Sequence, residues 1–166
     1  MVEITQKQDS RRIFIDTLIE LSEKDDKIIL IVPDVGFNYI EKFQEKFPNR
    51  YYNFGVTEQS TIIIATAMAL DGWKPYVYSM INFVLFRPYE MVRNGVVHHK
   101  ANIKLIGVKG SEKYKFLGFS HNMTDDTEDI RTCNNLKLTC FVPMIYEIKE
   151  VVEMTYKRNE AAYIRL

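Results

Sequence analysis

Lys27-Ile28-Ile29-Leu30-Ile31-Val32-Pro33 is an unbroken apolar run, short, rich in β-branched side chains and closed by a proline. A strand wetted on one face alternates polar and apolar residues. This run does not alternate, so it predicts a strand buried on both faces, as in a parallel sheet covered by helices. The flanking segments agree. Upstream, Asp9-Ser10 can cap a helix carrying Ile13, Leu18, Ile19 and Leu21 at helical spacing. Downstream, the pattern predicts helices over 39–47, 57–70, 83–98, 125–133 and 146–157. It predicts further strands at Pro75-Tyr76-Val77-Tyr78-Ser79, 103–108, 137–143 and 162–166. Asp125 followed by Glu128 has capping-box spacing at the start of one helix. Helices alternating with apolar strands imply an α/β fold, a three-layer α/β/α sandwich around a mainly parallel sheet. Ligands of such sheets sit beyond the C-terminal strand ends, here near Asp34, Ser79-Met80, Gly110 and Pro143.

The 166 residues suit one domain, 1–166, with no repeat, linker or low-complexity stretch. Lys and Arg number 22 and so do Asp and Glu, a balance that argues against a protein built to coat nucleic acid or an anionic membrane. No apolar run reaches the roughly 18 residues of a membrane span, and Met1-Val2-Glu3-Ile4-Thr5-Gln6 lacks a signal pattern. Two Cys cannot staple a secreted scaffold. A reduced, cytoplasmic protein is therefore expected. Ten Phe and ten Tyr exceed what a minimal core needs and point to an aromatic pocket or interface.

Familiar phosphate-binding loops, dinucleotide fingerprints and zinc spacings are absent. Cys133 and Cys140 read as small buried apolar residues rather than a redox pair. His98 and His99 complement the dipole at a helix C-terminus. His121, in the loop Gly118-Phe119-Ser120-His121-Asn122, reads equally as a proton shuttle or an idle loop histidine. Glu58 stands where a loop becomes a helix. It is either an acid favoured by the helix dipole or a functional carboxylate kept from water, because the following Ile62-Ile63-Ile64-Ala65-Thr66-Ala67-Met68-Ala69 is apolar nearly all round and predicts a buried helix. Phe83, Phe86 and Tyr89 fall at i, i+3 and i+6, one side of a helix. Such a stripe serves core packing or the stacking of a flat ring.

Taken together, these segments resemble the central, pyrimidine-binding domain of transketolases over almost the whole chain. The resemblance rests on Arg50-Tyr51-Tyr52-Asn53-Phe54-Gly55-Val56-Thr57-Glu58-Gln59, on Ala67-Met68-Ala69-Leu70-Asp71-Gly72-Trp73-Lys74-Pro75-Tyr76, and on Phe83-Val84-Leu85-Phe86-Arg87-Pro88-Tyr89. The fourth segment is Gly118-Phe119-Ser120-His121, with Ser for the family's Thr; Arg131 and Pro143 also fall in place. Four segments in order at nearly the right separations are a specific signal.

The resemblance implies thiamine diphosphate as cofactor. Glu58 would hydrogen-bond a ring nitrogen of its aminopyrimidine, favouring the tautomer that takes a proton from the thiazolium carbon. Phe83, Phe86 and Tyr89 would wall the pyrimidine, and Asp34 matches an acidic position at the same strand end. His121 would hydrogen-bond a substrate hydroxyl or move its proton. Arg11 matches an arginine that holds a substrate phosphate, though a capping or solvated role is equally open. The family's Gly-Asp-Gly and Asn, which hold Mg2+ and the diphosphate, are missing. The implied protein is thus the pyrimidine-binding subunit of a split transketolase-like enzyme, with a diphosphate-binding partner chain in a two-plus-two heterotetramer. Leu117 stands where transketolases carry an acid reading a sugar hydroxyl, which turns the expectation toward ketol or acyl transfer in a specialised sugar pathway. A 2-oxo acid decarboxylase subunit and a non-catalytic interface module are the alternatives.

Overall fold

The computed structural model describes residues 9–108 and 115–166. Gly110, one of the expected strand ends, and the Met1–Gln6 stretch lie outside the described residues. The run that decides the fold is β1, Ile28–Val32, buried along its full length. Around it lie β2 (Tyr51–Asn53), β3 (Lys74–Met80), β4 (Lys104–Val108), β5 (Thr139–Phe141) and β6 (Ala162–Arg165). They form one six-stranded sheet in the order β2-β1-β3-β4-β6-β5, parallel at every pairing. The three-layer α/β/α expectation is borne out.

Two cores explain why both faces of each inner strand are apolar. Leu30, Tyr76, Tyr78 and Ile106 pack with Phe14 and Leu18 of α1 (Ser10–Ser22), Phe43 of α2 (Glu41–Lys46) and Ile148 and Val152 of α6 (Ile148–Lys157). Ile29, Ile31, Val77, Leu105 and Tyr163 face the other way. They meet Ile62 and Ala65 of α3 (Glu58–Leu70), Val84, Leu85, Val92 and Val96, and Cys133 and Leu136 of α5 (Glu128–Leu136). Period-two alternation sends neighbouring residues of one strand to opposite cores.

Several local readings need correction. β2 is not among the predicted strands: Tyr51, Tyr52 and Asn53 become an edge strand only because they pair with Leu30, Ile31 and Val32. α3 is buried on one side, through Thr61, Ile62, Ala65 and Thr66, whereas Ile63 and Ile64 are 48% and 39% exposed. The expected single helix over 83–98 is a composite of a π-helical turn Asn82–Phe86, a short α4 (Tyr89–Met91) and a second π-helical stretch Val92–Val97. Pro88 has no N–H to continue an α-helical ladder. The chain widens instead, and the Arg87 N–H reaches five residues back to the Asn82 carbonyl at 2.8 Å. α5 begins at Glu128, three residues later than expected. Glu128 there accepts the Thr124 N–H at 2.6 Å, so Asp125 is not its capping partner.

The N-cap of α1 is as expected: the Asp9 side chain accepts the Arg11 N–H at 2.9 Å. Cys133 and Cys140 are free thiols hydrogen-bonded to each other, and that bond together with burial pushes the Cys133 thiol up. No helix among the described residues is long and apolar enough to cross a membrane.

Candidate active site

The C-terminal end of the sheet opens onto a cavity of about 510 Å3. Three turns shape it. After β1, Asp34 takes a left-handed backbone (φ 55°) and Gly36 follows at φ 95°. A side chain at Gly36 would lie 2.9 Å from Ile40 Cγ2 and 3.0 Å from Tyr78 Cε1, so only glycine lets this turn fold over the sheet. After β2, Asn53 Oδ1 accepts the N–H groups of Asp34 (3.1 Å) and Gly55 (2.9 Å), clamping two strand ends together. After β4, the His121 loop is tied down by Asn82, whose Nδ2 donates to the Asn122 carbonyl at 3.0 Å.

Glu58 is the first residue of α3, and its side chain is only 6% exposed on the cavity wall. Its Oε1 accepts from the Arg87 guanidinium at 2.5 Å. The same guanidinium lies 4.1 Å over the Phe83 ring, a cation–π contact. His121 meets Phe83 edge-on, with ring centroids 5.0 Å apart, and its Nδ1 lies 2.9 Å from Ser120 Oγ. Glu58, Arg87, Phe83 and His121 therefore form one chain of contacts along the cavity.

Of the residues singled out from sequence, Glu58, Phe83, His121, Asp34 and Arg11 all line this cavity, as does Leu117. Phe86 and Tyr89 do not. The wider π-helical turn and Pro88 break the one-sided stripe. Phe86 is half-buried against the core beneath α3, and Tyr89 is exposed. Arg11 is committed to its own helix cap. Nε and Nη2 donate to the two oxygens of Asp9 at 3.0 and 2.7 Å, and the guanidinium stacks on Tyr39 at 3.8 Å. The Asp9 carboxyl is held far below the usual range, chiefly by that Arg11 hydrogen bond. Arg131 pairs with Asp125 on the surface, away from the cavity lining. His98 and His99 are exposed, and their rings meet edge-on with centroids 5.3 Å apart.

The sequence assigns no role to Arg87, although it stands inside the aromatic motif. The available signal is a lone charge in an apolar helical stretch. Its partner is 29 residues away, a separation with no periodic signature. Asn53 is equally silent, because its clamp exists only once β2 pairs with β1.

The chain matches the family profile described as "Transketolase, pyrimidine binding domain" over residues 6–166. It is 28% identical over 159 residues to an apulose-4-phosphate transketolase subunit of Phocaeicola vulgatus, covering 94% of this chain and 50% of the relative. It is 28% identical over 152 residues to a putative transketolase C-terminal section of Methanocaldococcus jannaschii, covering 91% and 48%. Among solved structures, one described as split gene transketolase, inactive beta4 tetramer, superposes with a TM-score of 0.82 at 25% identity, covering 95% of this chain and 50% of that one. A transketolase of Campylobacter jejuni shares the fold, with a TM-score of 0.80 at 15% identity over 96% of this chain and 26% of its own. An α/β domain with a carboxylate at a helix start over the C-terminal end of a parallel sheet is thus the class to which the fold and site point. The chain belongs to the transketolase pyrimidine-binding domain family. It spans about half the length of the curated relatives named above.

Proposed function

We propose that this chain, 1–166, is the pyrimidine-binding subunit of a cytoplasmic, split, thiamine diphosphate-dependent transketolase-like transferase. It transfers a ketol or acyl unit between sugar-type substrates in carbohydrate metabolism. The observation that carries the reading is Glu58, 6% exposed at the first turn of α3, on the same cavity as Phe83 and His121. A buried carboxylate beside an aromatic face fits an aminopyrimidine: the ring packs on Phe83 while a ring nitrogen meets the carboxylate.

Thiamine diphosphate, once bound, supplies the electron sink for making and breaking the carbon–carbon bond beside a carbonyl. This chain's residues do the rest on their side of the crevice. Glu58 orients the pyrimidine and fixes its tautomer. Phe83 excludes water from the ring. His121, held against Phe83 by the tethered loop, hydrogen-bonds a substrate hydroxyl or moves its proton. Asp34 borders the same cavity at the end of β1. Arg11 reaches a substrate phosphate only by leaving Asp9.

No group of three or more His, Cys, Asp or Glu side chains able to hold a metal occurs among the described residues. In this reading a diphosphate-binding partner subunit holds Mg2+ and the diphosphate, in a two-plus-two heterotetramer. Exposed apolar side chains support a partner surface beside the site: Phe37 and Val56 at the cavity, and Ile63, Ile64 and Leu70 along α3.

The test mixes the chain with a partner chain carrying a Gly-Asp-Gly…Asn pattern, thiamine diphosphate and Mg2+, and follows ketol transfer from ketose donors to aldehydes. Glu58→Gln is expected to lower kcat by at least about 100-fold, the scale of losing one positioned polar group that acts on the reacting centre. Full activity in Glu58→Gln would rule the mechanism out. A second reading, a 2-oxo acid decarboxylase subunit, is favoured by Leu117, an apolar side chain on the cavity. Release of carbon dioxide from a 2-oxo acid without an aldehyde acceptor separates the two.

A further inference from the structure

The two contacts that a pyrimidine ring needs from this chain are a hydrogen bond to the Glu58 carboxylate and packing on Phe83. Both are already made by one side chain. The Arg87 guanidinium is flat, lies 2.5 Å from Glu58 Oε1 and sits 4.1 Å over the Phe83 ring. Its own side chain is 39% exposed, whereas that of Glu58 is 6% exposed. The arginine therefore has water to swing into, while the carboxylate has none. The Arg87 N–H is bonded to the Asn82 carbonyl at 2.8 Å, and the guanidinium can swing away without breaking that backbone bond.

We infer that Arg87 is a placeholder for the aminopyrimidine: it neutralises Glu58 and covers Phe83 in the free chain, and yields both when the ring enters. This rests on the reading of the site as a pyrimidine subsite and adds to it a residue that regulates loading. The physical reason is the cost of an unpaired buried carboxylate, which the guanidinium removes before the ligand arrives. The consequence is competition within the molecule. Affinity is reduced by the fraction of molecules in which Arg87 has let go.

The test is calorimetric titration of thiamine diphosphate, with Mg2+, into the assembled pair. If the released form makes up on the order of a tenth of the population, Arg87→Ala binds about tenfold tighter than the unsubstituted pair. Arg87→Gln, which keeps most of the side chain but not the charge, should shift the same way and serves if the alanine variant folds poorly. Arg87→Lys, which keeps the charge but loses the planar stack and the fork, should fall between. A residue that merely supports the site would give the opposite sign. Unchanged or weaker binding in both the Ala and Gln variants overturns the placeholder while leaving the pyrimidine site standing. Failure of the unsubstituted pair to bind thiamine diphosphate at all would instead remove the reading on which it rests.

Discussion

The two ends of the sheet handle buried charge differently. At the N-terminal end, Asp25 accepts from Lys74 Nζ (2.6 Å), Tyr156 Oη (3.0 Å) and the Lys27 N–H (2.9 Å). Nearby, Lys104 Nζ donates to Asn102 Oδ1 (2.5 Å) and to the carbonyls of Glu160 (2.6 Å) and Arg158 (3.1 Å), stitching the end of α6 to β4. At the C-terminal end, Glu58 is as deeply placed, and its one side-chain partner among the described residues is the Arg87 guanidinium. Charge saturated by several partners is permanent structure. Charge held by one long, half-exposed side chain can be exchanged for a ligand. In this fold the exchangeable end is the one that carries the cavity.

That contrast can be broken by substitution. Asp25→Ala strips three donors of one acceptor and should destabilise the chain by roughly 2 kcal/mol in urea unfolding, the scale of leaving hydrogen-bond donors of a part-buried network unpaired. A loss under about 1 kcal/mol would make the N-terminal end no more permanent than the other. Next in size is a pH effect. Burial raises the Asp25 carboxyl, but hydrogen bonds from Lys74, the Lys27 N–H and Tyr156 outweigh it and leave it below its ordinary value of 3.8. A carboxyl lowered on folding contributes stability that is fully present above the unfolded value and is lost as pH falls through the folded one. Thermal melting should therefore fall more steeply below about pH 4 in the unsubstituted chain than in Asp25→Asn. The smallest effect belongs to the cavity. Glu58→Gln should change the stability of the free chain by no more than about 1 kcal/mol, because the amide can still accept from Arg87 and the arginine can turn to water. A loss as large as that of Asp25→Ala would mean that the Glu58–Arg87 pair is structural.

What the sequence discloses follows from the range of the forces involved. β1, β4 and β6 are legible because burial on both faces forces apolar residues into consecutive positions. The Asp9 cap of α1 is legible because its partner is two residues away. β2 is not, since three residues, Tyr51 to Asn53, owe their strand to pairing with β1. α3 misleads because an apolar surface looks the same whether a sheet or another chain covers it. Ile63 and Ile64 face outward in this chain. In the site, Glu58, Phe83 and His121 are identifiable by the order of their motifs. Phe86 and Tyr89 diverge because a proline and π-helical winding rotate them off the face that α-helical spacing assigns. Arg87 and Asn53 act through partners fixed only by the tertiary fold.

Glu58 is proposed to meet the cofactor's pyrimidine, and a crystal structure of the chain assembled with its partner and thiamine diphosphate measures this directly. The expected result is a Glu58 carboxylate oxygen within hydrogen-bond distance of a pyrimidine ring nitrogen, with Phe83 against the ring and Arg87 displaced. A bound cofactor lying elsewhere, with Glu58 still clasped by Arg87, would contradict it.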